Sequence, residues 1–413
     1  MDSGILQRLD PRDVGRRLQE ARRARGKTQQ DAGEHLGVAR TTITAIEKGE
    51  RRIQPTELVR LAAYYGRQVS EFVRSGQPVD AFAVQLRATL VPTQSTEEEI
   101  AGSTWEFQQL CEDYLELEQL CEAPLSRKYP ALYEIAGVAP EGAAEDVATS
   151  ERNRLGLGDG PVLNLRELLE NDVGLRIFYL ELPSRIAGMY AFADQLGGCI
   201  AINQKHPAGR RRTTGAHEYA HFLSKRFRSE ISVLARYQRV PEQERFANSF
   251  ASAFLMPATG LRRRFHELER NRNGRVTPAD LCILADFYFV SVEALTRRVE
   301  DLRLLPVGTW ERLHQAGFKV REAQSLLGLA ERPVSDHLLP LRYMYLAAEA
   351  YDRGELSEGQ FARYLRVDRL EARRLAAELA NRPVVSDTGE VTSLSLNLGE
   401  SLSSRDAERS IGE

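Results

Sequence analysis

The string Gly215-Ala216-His217-Glu218-Tyr219-Ala220-His221-Phe222 holds two histidines four residues apart, with a glutamate beside the first. On a helix that spacing stacks His217 and His221 on one face, where two imidazoles can bind one Zn²⁺. Glu218 then stands where it can take a proton from a water polarised by the ion, which yields a hydroxide-like nucleophile at neutral pH. A catalytic zinc site normally uses three protein ligands and one open position, so a third ligand is needed. Downstream, residues 241–257 (PEQERFANSFASAFLMP) read as a helix with Phe246, Phe250 and Phe254 spaced by four. Glu242 and Glu244 are its acidic candidates. His206, Tyr190 and Tyr219 are available to stabilise an oxyanion. His35, His266, His314 and His337 read as surface or core histidines.

Several elements must position this chemistry. Leu175 to Leu180, Gly188 to Ala193 and Gly198 to Asn203 are short β-branched or aromatic runs separated by turn residues, and they predict a small sheet before the metal helix. The arginine-rich approach Arg210 to Arg212 and the run ending in Ile202-Asn203 precede the motif. This block resembles the ImmA/IrrE family of zinc peptidases over roughly residues 160–260. That family reads as a strand ending in Asn, an Arg-rich turn, HExxH, then Glu-x-x-Ala-Asn/Asp-x-Phe-Ala closing in Leu-Met-Pro. The resemblance places Glu244 as third ligand through Glu244-Arg245-Phe246-Ala247-Asn248-Ser249-Phe250-Ala251, with Leu255-Met256-Pro257 closing the block and Glu242 as runner-up. Thr213 and Gly215 depart from the bulkier apolar residues usual before the motif.

A second constellation lies near the N-terminus. Residues 14–75 contain five short segments with apolar spacing of three or four: Val14, Leu18 and Ala21; Ala32 and Leu36; Ile43 and Ile46; Leu58, Leu61 and Ala62; Val69 and Phe72. Thr28 followed by Asp31 is a variant capping box, and Leu36-Gly37-Val38 is a tight turn before a helix from Arg40 to Lys48. The string TQQDAGEHLGVARTTITAIEKGERRIQPTELVRLAAYYG resembles the helix-turn-helix domain of XRE (Cro/C1-type) repressors over about sixty residues. In such a fold the second motif helix enters the major groove by its N-terminal end, which aims Arg40, Thr41 and Thr44 at base edges. Gln29 would reach phosphate, and Lys48, Arg51 and Arg52 would neutralise the backbone. Gly33 stands where the family usually has alanine, and a mid-helix glycine costs roughly 0.5–1 kcal/mol.

Charge supports a polyanion-binding N-terminal module. Residues 1–79 carry 15 Lys/Arg against 10 Asp/Glu, residues 80–150 carry 3 against 14, and the remainder carries 38 against 35. A basic module followed by an acidic segment can bind DNA, repel it locally, or have its own basic surface covered. With 413 residues, 42% hydrophobic and 28% charged, the chain reads as two to three folded domains. The longest apolar stretch, Leu281 to Val290, is about half a bilayer span and contains Asp286, and no signal-peptide apolar region stands at the N-terminus, so a cytoplasmic protein with no membrane segment is expected. Cys111, Cys121, Cys199 and Cys282 are widely spaced with no CxxC pair, which argues against disulfides and a thiolate zinc site and predicts core or partly buried thiols.

The expected fold class is multidomain. An all-α helix-turn-helix domain covers 10–78, a linker 79–104 and an acidic helical connector 105–160, with a new helix from Trp105 to Glu122. An α+β zincin-like metallopeptidase domain with a small sheet and the HExxH helix covers 161–275. A helical C-terminal region, serving as accessory, sensor or dimerisation unit, covers 276–385, with helices opened by Thr277-Pro278 and further ones at about 308–328 and 336–380; a flexible tail covers 386–413. The resemblances imply a DNA-binding transcription regulator carrying a zinc endopeptidase that cuts a helix-turn-helix repressor, either in trans or in its own linker, in response to stress or mobile-element signals. Two other readings stay open: a regulator whose metallopeptidase fold senses a signal or binds a partner without significant proteolysis, and the antitoxin of a toxin–antitoxin pair. Repressor-type domains read two half-sites, so a homodimer on a double-stranded DNA operator is expected.

Overall fold

In the computed structural model, which describes residues 10–67, 69, 72–73, 94–233, 241–329 and 338–380, the N-terminal helices start and stop at their caps. Helix α1 (Pro11–Ala24) opens on Asp10, whose carboxylate accepts from the Arg12 amide at 2.8 Å. Helix α2 (Gln29–Leu36) carries the full Thr28/Asp31 capping box and ends at Gly37 with φ +75°. Helix α3 (Arg40–Glu47) follows, and α4 (Pro55–Tyr65) begins with proline and ends at Gly66. Val14, Leu18, Ile43, Ile46, Leu58, Leu61 and Phe72 are buried together as their common core. The fifth expected segment is described only at Val69, Phe72 and Val73. Gly33 has a packing role: a Cβ there would lie 2.8 Å from the Val38 carbonyl oxygen, so the tight turn into α3 excludes alanine's methyl group.

Helix α5 (Gln94–Leu120) starts eleven residues before the expected Trp105, so the end of the predicted linker is helical; residues 79–93 lie outside the described ones. The predicted connector also divides. Helix α6 (Pro140–Arg154) buries Ala143, Ala144, Val147 and Ala148 in the same core as the metal helix and belongs to that domain. Its acidic look misled because its charges are internally matched. The fully buried Glu151 accepts from Arg154 at 2.7 Å, from Tyr133 at 2.9 Å and from Tyr219.

A single helical turn α7 (Leu165–Leu168) leads to a four-stranded sheet of β1 (Arg176–Leu180), β2 (Ile186–Ala193), β3 (Gly197–Asn203) and β4 (Glu230–Val233), in the order β1-β3-β2-β4. The β1–β3 pair is parallel and the other two are antiparallel. The first three strands are those read from the sequence; β4 is too short to announce itself. Helix α8 (Ala208–Lys225) carries the HExxH string; Gly215 and Phe222 lie against the sheet at Ile202 and Gly198, while Tyr219 turns to Phe250 and Phe254 in the same core. Helix α9 (Glu242–Leu255) lays its Phe246, Phe250 and Phe254 row into that core, and α10 (Ala258–Asn271) follows.

The C-terminal region, expected as one piece, is divided by the fold. Helices α11 (Pro278–Tyr288), opened by a Thr277/Asp280 capping box, and α12 (Val292–Asp301) bury Leu281, Ala285, Leu295 and Val299 in the core of the metal-helix domain. Two short helices, α13 (Thr309–Gln315) and α14 (Val320–Leu326), follow. Among the described residues, a second compact unit gathers 117–123 with 341–380. It contains α15 (Leu341–Asp352), α16 (Glu358–Leu365) and α17 (Arg369–Ala380), and inside it Arg342 pairs with Glu118 at 3.2 Å and Tyr343 donates to the Tyr364 carbonyl at 3.0 Å. The expected tail, 386–413, lies outside the described residues. All four cysteines are free and buried, and among the described residues no helix is long and apolar enough to cross a membrane.

Candidate metal centre and nucleic-acid interface

His217 and His221 lie one turn apart on the face of α8 turned towards α9. Their Nε2 atoms are 3.0 Å apart, and the Glu244 carboxylate reaches each of them at 3.5 Å. Bonds of ~2.0–2.1 Å in a tetrahedral centre space neighbouring donors by roughly 3.3 Å. The two imidazole nitrogens are near that separation, each Glu244 oxygen is near it from one of them, and one donor atom from each of the three residues lies within 4.8 Å of the others, so the cluster is of a size to close on one ion. Burial, helped by Lys225, lowers the His221 pKa to about 3, so its imidazole is neutral and its lone pair is available to a cation. The donor set of two imidazoles and one carboxylate fits zinc chemistry, with a fourth position left open. Glu242, the runner-up, is exposed at the start of α9 and is not part of the cluster.

Two further residues complete the arrangement. Asn248, one turn after Glu244, places its Oδ1 3.1 Å from His217 Nδ1. A proton on Nδ1 donated to that oxygen leaves the Nε2 lone pair directed at the cluster. The sequence held two clues to it, the i, i+4 spacing of Glu244 and Asn248 and the Asn/Asp position of the motif that the block resembles. Glu218 is fully buried, and Gly188 on β2 makes room for it: a Cβ at 188 would lie 2.7 Å from Glu218 Oε1 and 2.8 Å from Thr214 Cγ2. Gly215, which departs from the bulkier residue usual there, sits where a Cβ would be 3.2 Å from Ile202 Cδ1 and 3.3 Å from Leu165 Cδ2, so α8 rides close on the sheet.

The oxyanion candidates are otherwise employed. Tyr190 donates to the Arg226 carbonyl at 2.6 Å inside the core, and Tyr219 donates to Glu151. His206 is half-buried, with its Nε2 3.3 Å from the Ser184 carbonyl oxygen.

In the N-terminal domain, Arg40 and Thr41 are exposed at the start of α3, and Lys48 and Arg52 are exposed beyond its end. Three of the other expected contacts are tied inward. Gln29 donates to Glu47 at 2.8 Å instead of projecting freely, and Thr44 donates to Gln29 Oε1 and to the Arg40 carbonyl, each at 3.1 Å. Arg51 forms a two-point pair with Glu57 at 2.9 and 3.1 Å, which neutralises its charge locally. Glu47 also holds Arg22 through two bonds, one of them 2.5 Å, so a buried ion pair locks α3 to α1.

Comparison with known proteins agrees with both halves. A helix-turn-helix domain family matches residues 13–73, and the IrrE N-terminal-like domain of a peptidase family matches residues 170–300. The second match extends through α11 and α12, the helices that the fold assigns to the metal-helix core. No curated protein and no solved structure matches the chain. The chain thus joins a helix-turn-helix DNA-binding domain to an IrrE N-terminal-like peptidase-family domain.

Proposed function

We propose that this chain is a DNA-binding transcription regulator whose peptidase-family domain is a zinc-dependent endopeptidase. The observation that carries the reading is the convergence of His217, His221 and Glu244 at metal-ligand spacing, with Glu218 one residue from the first ligand. A bound zinc ion supplies Lewis acidity towards water and towards a scissile carbonyl. His217, His221 and Glu244 would hold it, and Asn248 keeps the His217 ring in the competent orientation. Glu218 accepts the proton of the attacking water and returns it to the leaving amide nitrogen. Its seat against the glycine at 188 excludes water from one side of the carboxylate and restricts its rotation.

The substrate we propose is a repressor of helix-turn-helix type, in trans, or the chain's own segment 79–104. In this reading Arg40 and Thr41 contact base edges and Lys48 and Arg52 contact phosphates, on a double-stranded operator read by a homodimer in the cytoplasm. Metal content of wild type beside Glu244→Ala and Glu242→Ala tests the centre. About one zinc per chain, lost only with Glu244→Ala, is expected; a wild type that stays metal-free after reconstitution overturns it. Incubation of the zinc-loaded full chain with DNA and a quenched-fluorescent peptide library, followed by intact mass, tests the chemistry. Cleavage by wild type and none by Glu218→Gln is expected. Equal signals from the two proteins would leave a DNA-binding regulator without proteolysis.

A further inference from the structure

The N-terminal helix-turn-helix geometry occurs a second time, in the compact unit that holds α15, α16 and α17. Its defining features recur with every position shifted by 329 residues. Thr28 closes a capping box with Asp31 through bonds of 2.8 and 3.1 Å, and Ser357 closes one with Gln360 through bonds of 2.8 and 3.3 Å. Helices α2 and α16 each run eight residues, and each ends on a left-handed residue, Gly37 at φ +75° and Arg366 at φ +58°. The next amides bond back alike, Val38 to the Gly33 carbonyl at 2.9 Å and Val367 to the Ala362 carbonyl at 3.1 Å. Two residues later α3 starts at Arg40 and α17 at Arg369. The supporting helix matches as well: α1 buries Val14, Leu18 and Ala21, and α15 buries Tyr343, Ala347 and Ala350. Even the side-chain link between the two motif helices recurs, Gln29 with Thr44 and Glu358 with Arg373.

Caps alone do not make a reading helix. Helices α11 and α12 are also joined through a left-handed residue, Phe289, and a serine N-cap, but six of the ten residues of α12 are buried. Helix α17 differs, because it buries Ala372 and Leu379 and leaves Arg369, Leu370, Arg373 and Arg374 exposed. In a helix-turn-helix the N-terminal end of the second helix enters the major groove, and positions 369, 370 and 373 correspond to 40, 41 and 44 of the first motif. Arg369 repeats the arginine at 40, and Leu370, 77% exposed, offers an apolar surface suited to a thymine methyl group. Charge favours DNA more here than at the first motif. Residues 358–374 carry five arginines against three acidic residues, whereas the matching 29–45 carry one against two. Arg373 and Arg374 pair with Glu358 and Glu371 at 3.0 and 2.5 Å, yet their side chains stay 66% and 72% exposed. Surface pairs of that kind are weak enough to exchange a carboxylate for a phosphate. We propose that α15, α16 and α17 form a second helix-turn-helix module that reads double-stranded DNA, with Arg369 and Leu370 on base edges and Arg373 and Arg374 on phosphates. This second module depends on neither zinc nor proteolysis.

The test is selection from a random duplex DNA library by the full-length chain with its first motif disarmed by Arg40→Ala and Lys48→Ala, followed by titration of the enriched duplex. Wild type run in parallel keeps the reading of the first motif separate. The disarmed chain is expected still to enrich a sequence and to hold it with Kd below about 1 µM, tighter than the usual non-specific range. Adding Arg369→Ala should weaken that binding about tenfold or more, the scale of one base contact, and relax the preference at one base pair. Leu370→Asp sets a carboxylate against the groove from an exposed position that the fold tolerates, and should weaken binding by a similar factor. Thermal transitions check that both variants fold, and either one alone decides the matter. A disarmed chain that enriches no sequence, affinity unchanged by Arg369→Ala and Leu370→Asp, or an equal weakening on every duplex would each overturn the proposal. So would a Leu370→Asp chain that binds DNA as before but changes its mass in solution, since α17 would then be a contact between copies of the chain.

Discussion

Replacing Asn248 by alanine removes the acceptor of the His217 Nδ1 proton and leaves all three metal ligands in place. Groups that hold a ligating histidine by its second nitrogen typically contribute 10–100-fold in metal affinity, or ~1.4–2.7 kcal/mol. Two features of the structure put this case at the lower end. The bond is of ordinary length, 3.1 Å, and Asn248 is exposed at the surface, so water can take over much of its role. The expected loss is therefore about tenfold, ~1.4 kcal/mol. Zinc competition against a chromophoric chelator, on full-length wild type, Asn248→Ala, Asn248→Asp and His221→Ala, measures it. Asn248→Asp keeps an acceptor and should bind at least as tightly as wild type. An Asn248→Ala affinity equal to wild type would refute the orienting role, and a loss as large as that of His221→Ala would mean that Asn248 is itself a ligand.

Gly188→Ala should leave zinc content unchanged while lowering peptide cleavage about a hundredfold, because the added methyl lies 2.7 Å from Glu218 Oε1 and displaces the base by a fraction of an ångström or more; full activity would show that Glu218 does not need this seat. Glu47→Ala strands the buried Arg22 guanidinium and should destabilise the helix-turn-helix module by about 3 kcal/mol, read from its thermal transition in the full chain. Burial pushes the Glu47 carboxyl up, but bonds from Arg22, Gln29 and Gln19 more than offset that and leave it below its usual 4.5. A lowered folded value means stability present above about 4.5 and lost as pH falls through it, so wild type and Glu47→Ala should converge in acid; a constant gap would contradict the assignment. On a selected operator, Arg40→Ala should cost about 1–3 kcal/mol and relax specificity, whereas Lys48→Ala should weaken all sequences alike and lower the salt slope by about one. Equal effects on all sequences from both would remove Arg40 from the base edges.

The features legible in the sequence are those written in local spacing. Thr28 with Asp31, Thr277 with Pro278, the four-residue step from His217 to His221 and the row Phe246, Phe250, Phe254 each act within one or two helical turns, where geometry follows from the chain itself. What tertiary structure decided was pairing between segments distant in sequence. Glu244 rather than Glu242 meets the histidines because it shares with Asn248, one turn on, the face of α9 that meets His217, whereas Glu242 is exposed in the helix's first turn. Glu47 could not be assigned to Arg22, nor Arg51 to Glu57, from composition, so residues counted as free DNA-facing polarity emerge tied inward. Carboxylates such as Glu151 made α6 read as part of an acidic connector, although Tyr133 and Tyr219, contributed by other segments, make the burial of Glu151 possible. Helical periodicity states which face of an element is apolar, but only the packed chain states which other face meets it.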